Sequence, residues 1–292
     1  MQNIKIGTLV GGKDSADLIR KLKGYGFESY AINFWQNIGD TDLAVLAEQV
    51  KEALAEQDAQ ISCIGVYGNA LMDTTEGLAT KESFEKILNA APLFGAKIVT
   101  GFAGGLLGKS VEASLPKFKE VYGEFVRMAQ ANGLKIALEN CPMGGSWKSV
   151  GQNIAFNPDA WELIFNEVPS EALGLQWEPA HQLMQLIDPM PQLKKWTPKI
   201  YNVHGKDATI DKTVLRTHGM TGKEPYAWNR TPGFGDSNWI EIISRLRMYG
   251  YEGSIEIEGW HDPVYKGDLE YTGQIHALHY LKQCRGGELV LI

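Results

Sequence analysis

Leu173-Gly-Leu-Gln-Trp-Glu-Pro-Ala-His181 and Lys199-Ile-Tyr-Asn-Val-His-Gly-Lys-Asp207 decide how the chain is read. Each begins as a short apolar run and ends in ligand-type side chains. Glu178 and His181 close the first; His204, Lys206 and Asp207 close the second. Short apolar runs bounded by turn signals read as buried strands. These two strands therefore deliver ion-binding groups at their C-terminal ends.

The same unit recurs in both directions along the chain. Upstream, strands are predicted at Ile4–Val10, Ser29–Phe34, Ile61–Tyr67, Lys97–Thr100 and Lys135–Glu139. Between them, apolar residues recur at helical spacing: Leu18, Ile19 and Leu22; Leu43, Leu46, Val50 and Leu54; Phe84, Ile87 and Leu88; Leu115, Phe118, Val121, Tyr122 and Phe125. Ser15 and Thr80 are predicted caps, Gly26 a stop, and Asn157-Pro158 a cap and first turn before Trp161, Ile164 and Phe165. Downstream of Leu173–Trp177 come a short helix near 181–187, a strand at Ile200–Val203, and a helix with Trp239, Ile242, Ile243 and Leu246. The strand Gly253–Glu258 and a helix with Tyr271, Ile275, Leu278 and Leu281 complete the series. Eight strand–helix units over 292 residues predict an α/β fold, a (β/α)8 TIM barrel, as one domain. A doubly wound open sheet is the competitor. Gly11-Gly12 and Gly104-Gly105 lack the spacing of a nucleotide loop and read as tight turns. The stretch from about 207 to 236 has no clear periodicity and reads as a long loop or lid.

Barrel enzymes work at the C-terminal ends of their strands. Those ends carry Glu139, Glu178, His204 and Glu258. Three carboxylates and an imidazole suit a divalent cation, Mn2+ first, with Mg2+ or Co2+ as alternatives. Glu256 and Glu258 share a strand face, and Glu258 lies nearer the mouth. Glu256, a layer deeper, needs a partner or an outward register.

Composition narrows the classes. The net charge of −7 and the lack of a long basic run argue against nucleic acid. No apolar run approaches the roughly 20 residues of a membrane helix, and no secretory signal is visible. Three scattered cysteines suit a reducing cytoplasm. The eight Trp and eleven Tyr exceed what a core alone needs, so some are expected to line a pocket. Cys141 reads as a packed thiol, and His218, His276 and His279 as surface or helix residues. Gly144-Gly145 before Trp147 reads as a loop near the mouth.

The motifs Leu173–His181, Ile187-Asp-Pro189, Val203-His-Gly-Lys-Asp207, Arg230-Thr-Pro-Gly-Phe-Gly235 and Gly250–Glu258 together resemble the sugar phosphate isomerase/epimerase family. This is the xylose isomerase-like barrel group, with ketose 3-epimerases, inosose enzymes, and keto-glycoside epimerases and C-glycoside deglycosidase subunits. The resemblance implies a metal-dependent isomerase or epimerase of a ketose or keto-glycoside. Glu139 and Glu258 would move the proton through a metal-stabilised enediolate. It implies Glu139, Glu178, His204 and Glu258 as ligands, and His181, Lys206 and Arg230 as residues facing the sugar. Glu178 departs from the pattern, which usually has Asp there; the extra methylene changes the reach to an ion. A homo-oligomer is a further implication.

Two alternatives stay open. A lyase on the same site would eliminate a leaving group from the enediolate, with Trp147, Trp228 and Trp260 as candidates for an aglycone or for packing. A non-catalytic sugar-binding barrel would follow if Glu178 failed to bind metal. An endonuclease with a trinuclear zinc site is disfavoured, because only His181 and His204 are suitably placed and the charge is negative.

Overall fold

A computed structural model describes residues 3–259 and 261–287. Ten strands and ten α-helices are present among the described residues. Eight strands run parallel in a closed barrel: β1 (Lys5–Gly11), β2 (Ser29–Trp35), β3 (Gln60–Tyr67), β4 (Ile98–Gly101), β5 (Lys135–Glu139), β6 (Leu173–Trp177), β7 (Ile200–Gly205) and β10 (Ser254–Ile257). The predicted strands all exist, with ends that differ by at most two residues. Around the barrel, β5, β6, β7 and β10 are consecutive.

Residues pack into two compact units. One comprises Leu9–Trp177 and Lys199–Val203. Its strands β2 to β6 pair in sequence order, and β5 aligns Glu139 with Gln176 of β6. Its helices are α1 (Ser15–Leu22), α2 (Leu43–Leu54), α3 (Thr75–Ala90), α4 (Val111–Ala131) and α5 (Pro158–Glu167). Side chains of Asp42, Thr74, Ser110 and Asn157 accept first-turn N–H groups of α2 to α5, which have no partner within the helix. Phe84 of α3 stacks on Phe125 of α4 at 4.5 Å, and Phe118 on Tyr122 at 4.6 Å. Full burial of such rings contributes about 1.5–3 kcal/mol each.

The other unit comprises Met1–Thr8, Glu178–Pro198 and His204–Ile292. In it the start of β1 pairs with β10, Thr8 opposite Ile257. Helices α6 (Pro179–Met184), α7 (Met190–Trp196), α9 (Trp239–Met248) and α10 (Glu270–Arg285) belong to it. Trp239, Ile242 and Leu246 of α9, with Leu278 and Leu281 of α10, are buried. No helix among the described residues is long and apolar enough to cross a membrane.

Three expectations are corrected. Thr80 does not cap a helix. The helix begins at Thr75 behind the cap Thr74, and the Thr80 hydroxyl lies inside it, donating to the Gln36 carbonyl at 2.7 Å. Ser15 is the first residue of its helix, after Asp14, which makes no side-chain cap. The stretch from Asp207 onward is not a plain loop. It forms β8 (Asp207–Ile210), α8 (Lys212–His218) and β9 (Ala227–Arg230), with β8 and β9 antiparallel. Elements of four to seven residues are too short for periodicity to reveal.

Candidate metal centre

Glu178 lies between β6 and α6, where Pro179 takes the first helical position, whose amide has no helical partner. Three residues on, His181 comes back onto the same face. Its Nε2 lies 2.9 Å from Glu178 Oε1. His204 sits in β7 and Glu258 directly after β10. His204 Nδ1 is 3.0 Å from Glu258 Oε2 and 3.4 Å from Glu178 Oε2. Glu178, His204 and Glu258 each present a ligand atom, and these atoms lie within 4.8 Å of one another. Of Glu256 in β10 and Glu258 just after it, Glu258 is the one in this cluster. Glu256 is fully buried one layer down, opposite Gly7.

Lys206 completes the corner. Its Nζ donates to Glu258 Oε1 at 2.8 Å, so the two oxygens of Glu258 face different partners. Burial would raise the Glu258 pKa, but the Lys206 ammonium and the His204 contact outweigh it and hold the carboxyl at about 2. Glu178 is likewise held well below the usual carboxylate range. Burial opposes this, and His181 and Lys206 overcome it.

The donor set fits a divalent cation. Two ionised carboxylates, 0% and 6% exposed, converge on one imidazole nitrogen, and Lys206 neutralises one negative charge. Buried like charges are costly unless compensated. Oxygen and imidazole donors in this proportion match the preferences of such ions.

The other predicted residues fall as follows. Glu139 is buried at the end of β5, where its carbonyl accepts the Asn153 amide at 2.8 Å. Asn153 also donates to the Cys141 carbonyl at 2.7 Å and accepts from Ala103 N, so one buried amide fixes the strand-five exit. Arg230, at the end of β9, is held by Asp262 through Nε at 3.2 Å. Asp207, counted with the ligand packet in the sequence, turns elsewhere. It accepts from Ala208 N, Ser237 N and Trp239 Nε1, closing the stem of the hairpin. Trp147 is tied to Glu112 by its indole N–H at 2.7 Å and packs edge-on against Phe156, so it serves the loop's own structure. Trp228 is half-buried on β9. Trp260 lies outside the described residues.

Sequence reasoning missed His261, Asp262 and Asn153. His261 Nε2 stands 3.6 Å from Glu258 Oε1, with the side chain 55% exposed. The signal was present: Glu178-Pro-Ala-His181 and Glu258-Gly-Trp-His261 share one spacing. Asp262 accepts from Thr231, Val264 and Tyr265 amides as well as Arg230, tying the hairpin end to the segment after Glu258.

A family model described as xylose isomerase-like TIM barrel matches residues 19–284. The chain belongs to this family. Among its relatives is an uncharacterised protein, YfiH, of Bacillus subtilis, 25% identical over 243 residues, 72% of this chain and 74% of that protein. An inosose dehydratase of Lactiplantibacillus plantarum is 27% identical over 165 residues, 56% of this chain and 50% of the relative. A solved structure of a 3-keto-D-glucoside 4-epimerase from E. coli superposes with a TM-score of 0.71 at 17% identity, covering 96% of this chain and 100% of that one. At that identity the last similarity speaks for the fold.

Proposed function

We propose that the protein is a divalent-metal-dependent isomerase or epimerase of a keto sugar or keto-glycoside, with Mn2+ as the favoured ion. The observation that carries this reading is the convergence of buried Glu178 and Glu258 on His204. Glu139, at the exit of the adjacent strand β5, is the proposed fourth ligand. A bound cation would polarise the substrate carbonyl and acidify the neighbouring C–H. Glu139 and Glu258 transfer the proton, from opposite faces in an epimerase. Lys206 keeps Glu258 ionised. His181 steadies Glu178, and Lys206 and Arg230 face the sugar oxygens.

The relatives, an epimerase and a dehydratase by name, support an enzyme of this general kind. The dehydratase relative also favours a second reading, in which the carbanion formed at the same carbon expels a β leaving group. Assay of the metal-stripped and Mn2+-reloaded protein on ketoses and 3-keto-glycosides in deuterated water tests both. The epimerase reading expects deuterium in an intact sugar, with Glu139→Gln slowing turnover by about 10²- to 10⁴-fold. Release of water or aglycone instead selects the lyase. Unchanged turnover in Glu139→Gln removes the acid/base assignment.

A further inference from the structure

Trp35 ends β2, and 62% of its surface is exposed. It is the one exposed tryptophan among the described residues. Its position is imposed by the backbone. Gln36 has φ +63°, and the Asn37 amide donates back to the Trp35 carbonyl at 2.8 Å. A three-residue turn of that hand is rare and strained. The Gln36 amide donates to Tyr67 O at 2.9 Å, and Thr80 donates its hydroxyl to Gln36 O at 2.7 Å. A side chain at Gly68 would meet Gln36 O at 2.9 Å, so the turn is enclosed as well as bonded. The indole is thus held out in water by a turn with little freedom, at the barrel end where strand exits carry the chemistry.

From there a line of side chains leads inward. Trp35 meets Phe102 edge-on at 6.4 Å, and Phe102 meets Tyr67 edge-on at 5.3 Å. The Tyr67 hydroxyl lies 2.7 Å from Gln176 Oε1, and Gln176 is the residue paired with Glu139 across β5 and β6. Tyr67 is raised well above the usual phenol range, by burial first and then by the Glu139 carboxylate. The outer end of this line is an open indole face; its inner end is the proposed acid/base.

We propose that Trp35 is a specificity-determining platform that stacks a second ring, the aglycone or distal sugar of a glycoside, beyond the ring that reacts. The substrate class is then a glycoside with an apolar-faced substituent rather than a free monosaccharide. Only the location of the reacting ring rests on the function proposed above. Stacking on an indole combines area burial with ring geometry.

The test is calorimetric binding of phenyl β-glucoside and methyl β-glucoside to the Mn2+-loaded protein, with no turnover required. The phenyl glycoside is expected to bind about tenfold tighter. Trp35→Ala removes that preference and Trp35→Phe retains most of it. Equal binding of the two by the unaltered protein, or the same preference in Trp35→Ala, overturns the proposal. A retained preference with a change in assembly mass in Trp35→Ala also overturns it, assigning the indole to a contact between copies. A protein that shows the preference but converts no keto sugar would sink the catalytic reading and leave this one standing.

Discussion

Two corners of the molecule use one spacing and build different things. Glu178 and His181 sit at the start of α6, whose geometry brings the i and i+3 side chains together. Both are buried, and they meet at 2.9 Å. Glu258 and His261 lie on an irregular segment after β10. There the imidazole stands off at 3.6 Å and half its surface faces solvent, while Lys206 takes the carboxylate. A helix turns the spacing into a buried pair; a loop leaves the second imidazole farther from its carboxylate and more than half exposed. One corner pairs its buried carboxylate with an imidazole, the other pairs its carboxylate with an ammonium.

The largest test breaks both corners together. Glu178→Gln and Glu258→Gln are each expected to lower metal retention, by elemental analysis, by at least about a hundredfold. That exceeds what loss of an outer partner costs. If either variant keeps its metal and activity, that corner is not a ligand. The second test separates the corners. His181→Ala is expected to weaken metal binding by about 10- to 100-fold, because Glu178 loses the group that orients it. His261→Ala is expected to change metal affinity less and to raise KM instead. Equal effects on metal affinity would erase the distinction. The smallest effect is on acid stability of the metal-free protein. Glu258 is depressed from 4.5 to about 2, so its contribution is whole above the ordinary carboxylate range and is lost as pH falls toward 2. Lys206→Met should let that pKa rise, moving the acid-unfolding midpoint to higher pH. Each unit of pKa corresponds to about 1.4 kcal/mol. A midpoint that stays put would mean that Lys206 does not set the charge of Glu258.

The barrel was legible because each barrel strand is an apolar run and the longer helices between them carry apolar residues at 3.6-residue spacing. These signals survive without knowledge of contacts. Glu178, His204 and Glu258 were legible for a related reason, since strand ends are readable and a barrel brings them to one rim. Asp207 misled because a carboxylate beside Lys206 looks like another ligand. Its partners, Ser237 and Trp239, are thirty residues away, beyond local inference. Asn153 left no trace because a buried amide clamp has no periodicity. Trp35 lay one residue past the predicted strand Ser29–Phe34 and was not singled out. Alternation alone does not tell an aromatic turned outward from one turned inward, and the positive φ at Gln36 that decides the matter belongs to the backbone.

The hairpin stem is closed by its own bonds: Asp236 N to Ala208 O at 2.8 Å, Ile210 N to Asp236 Oδ2 at 2.8 Å, and Ser237 N to Asp207 Oδ1 at 2.9 Å. A segment sealed at its base behaves as a cassette. Its interior can lengthen, shorten or be exchanged by recombination while β7 and α9 keep their anchors. Arg230 travels with the cassette, so one grafting event would replace the group proposed to face the sugar and leave the clustered Glu178, His204 and Glu258 in place.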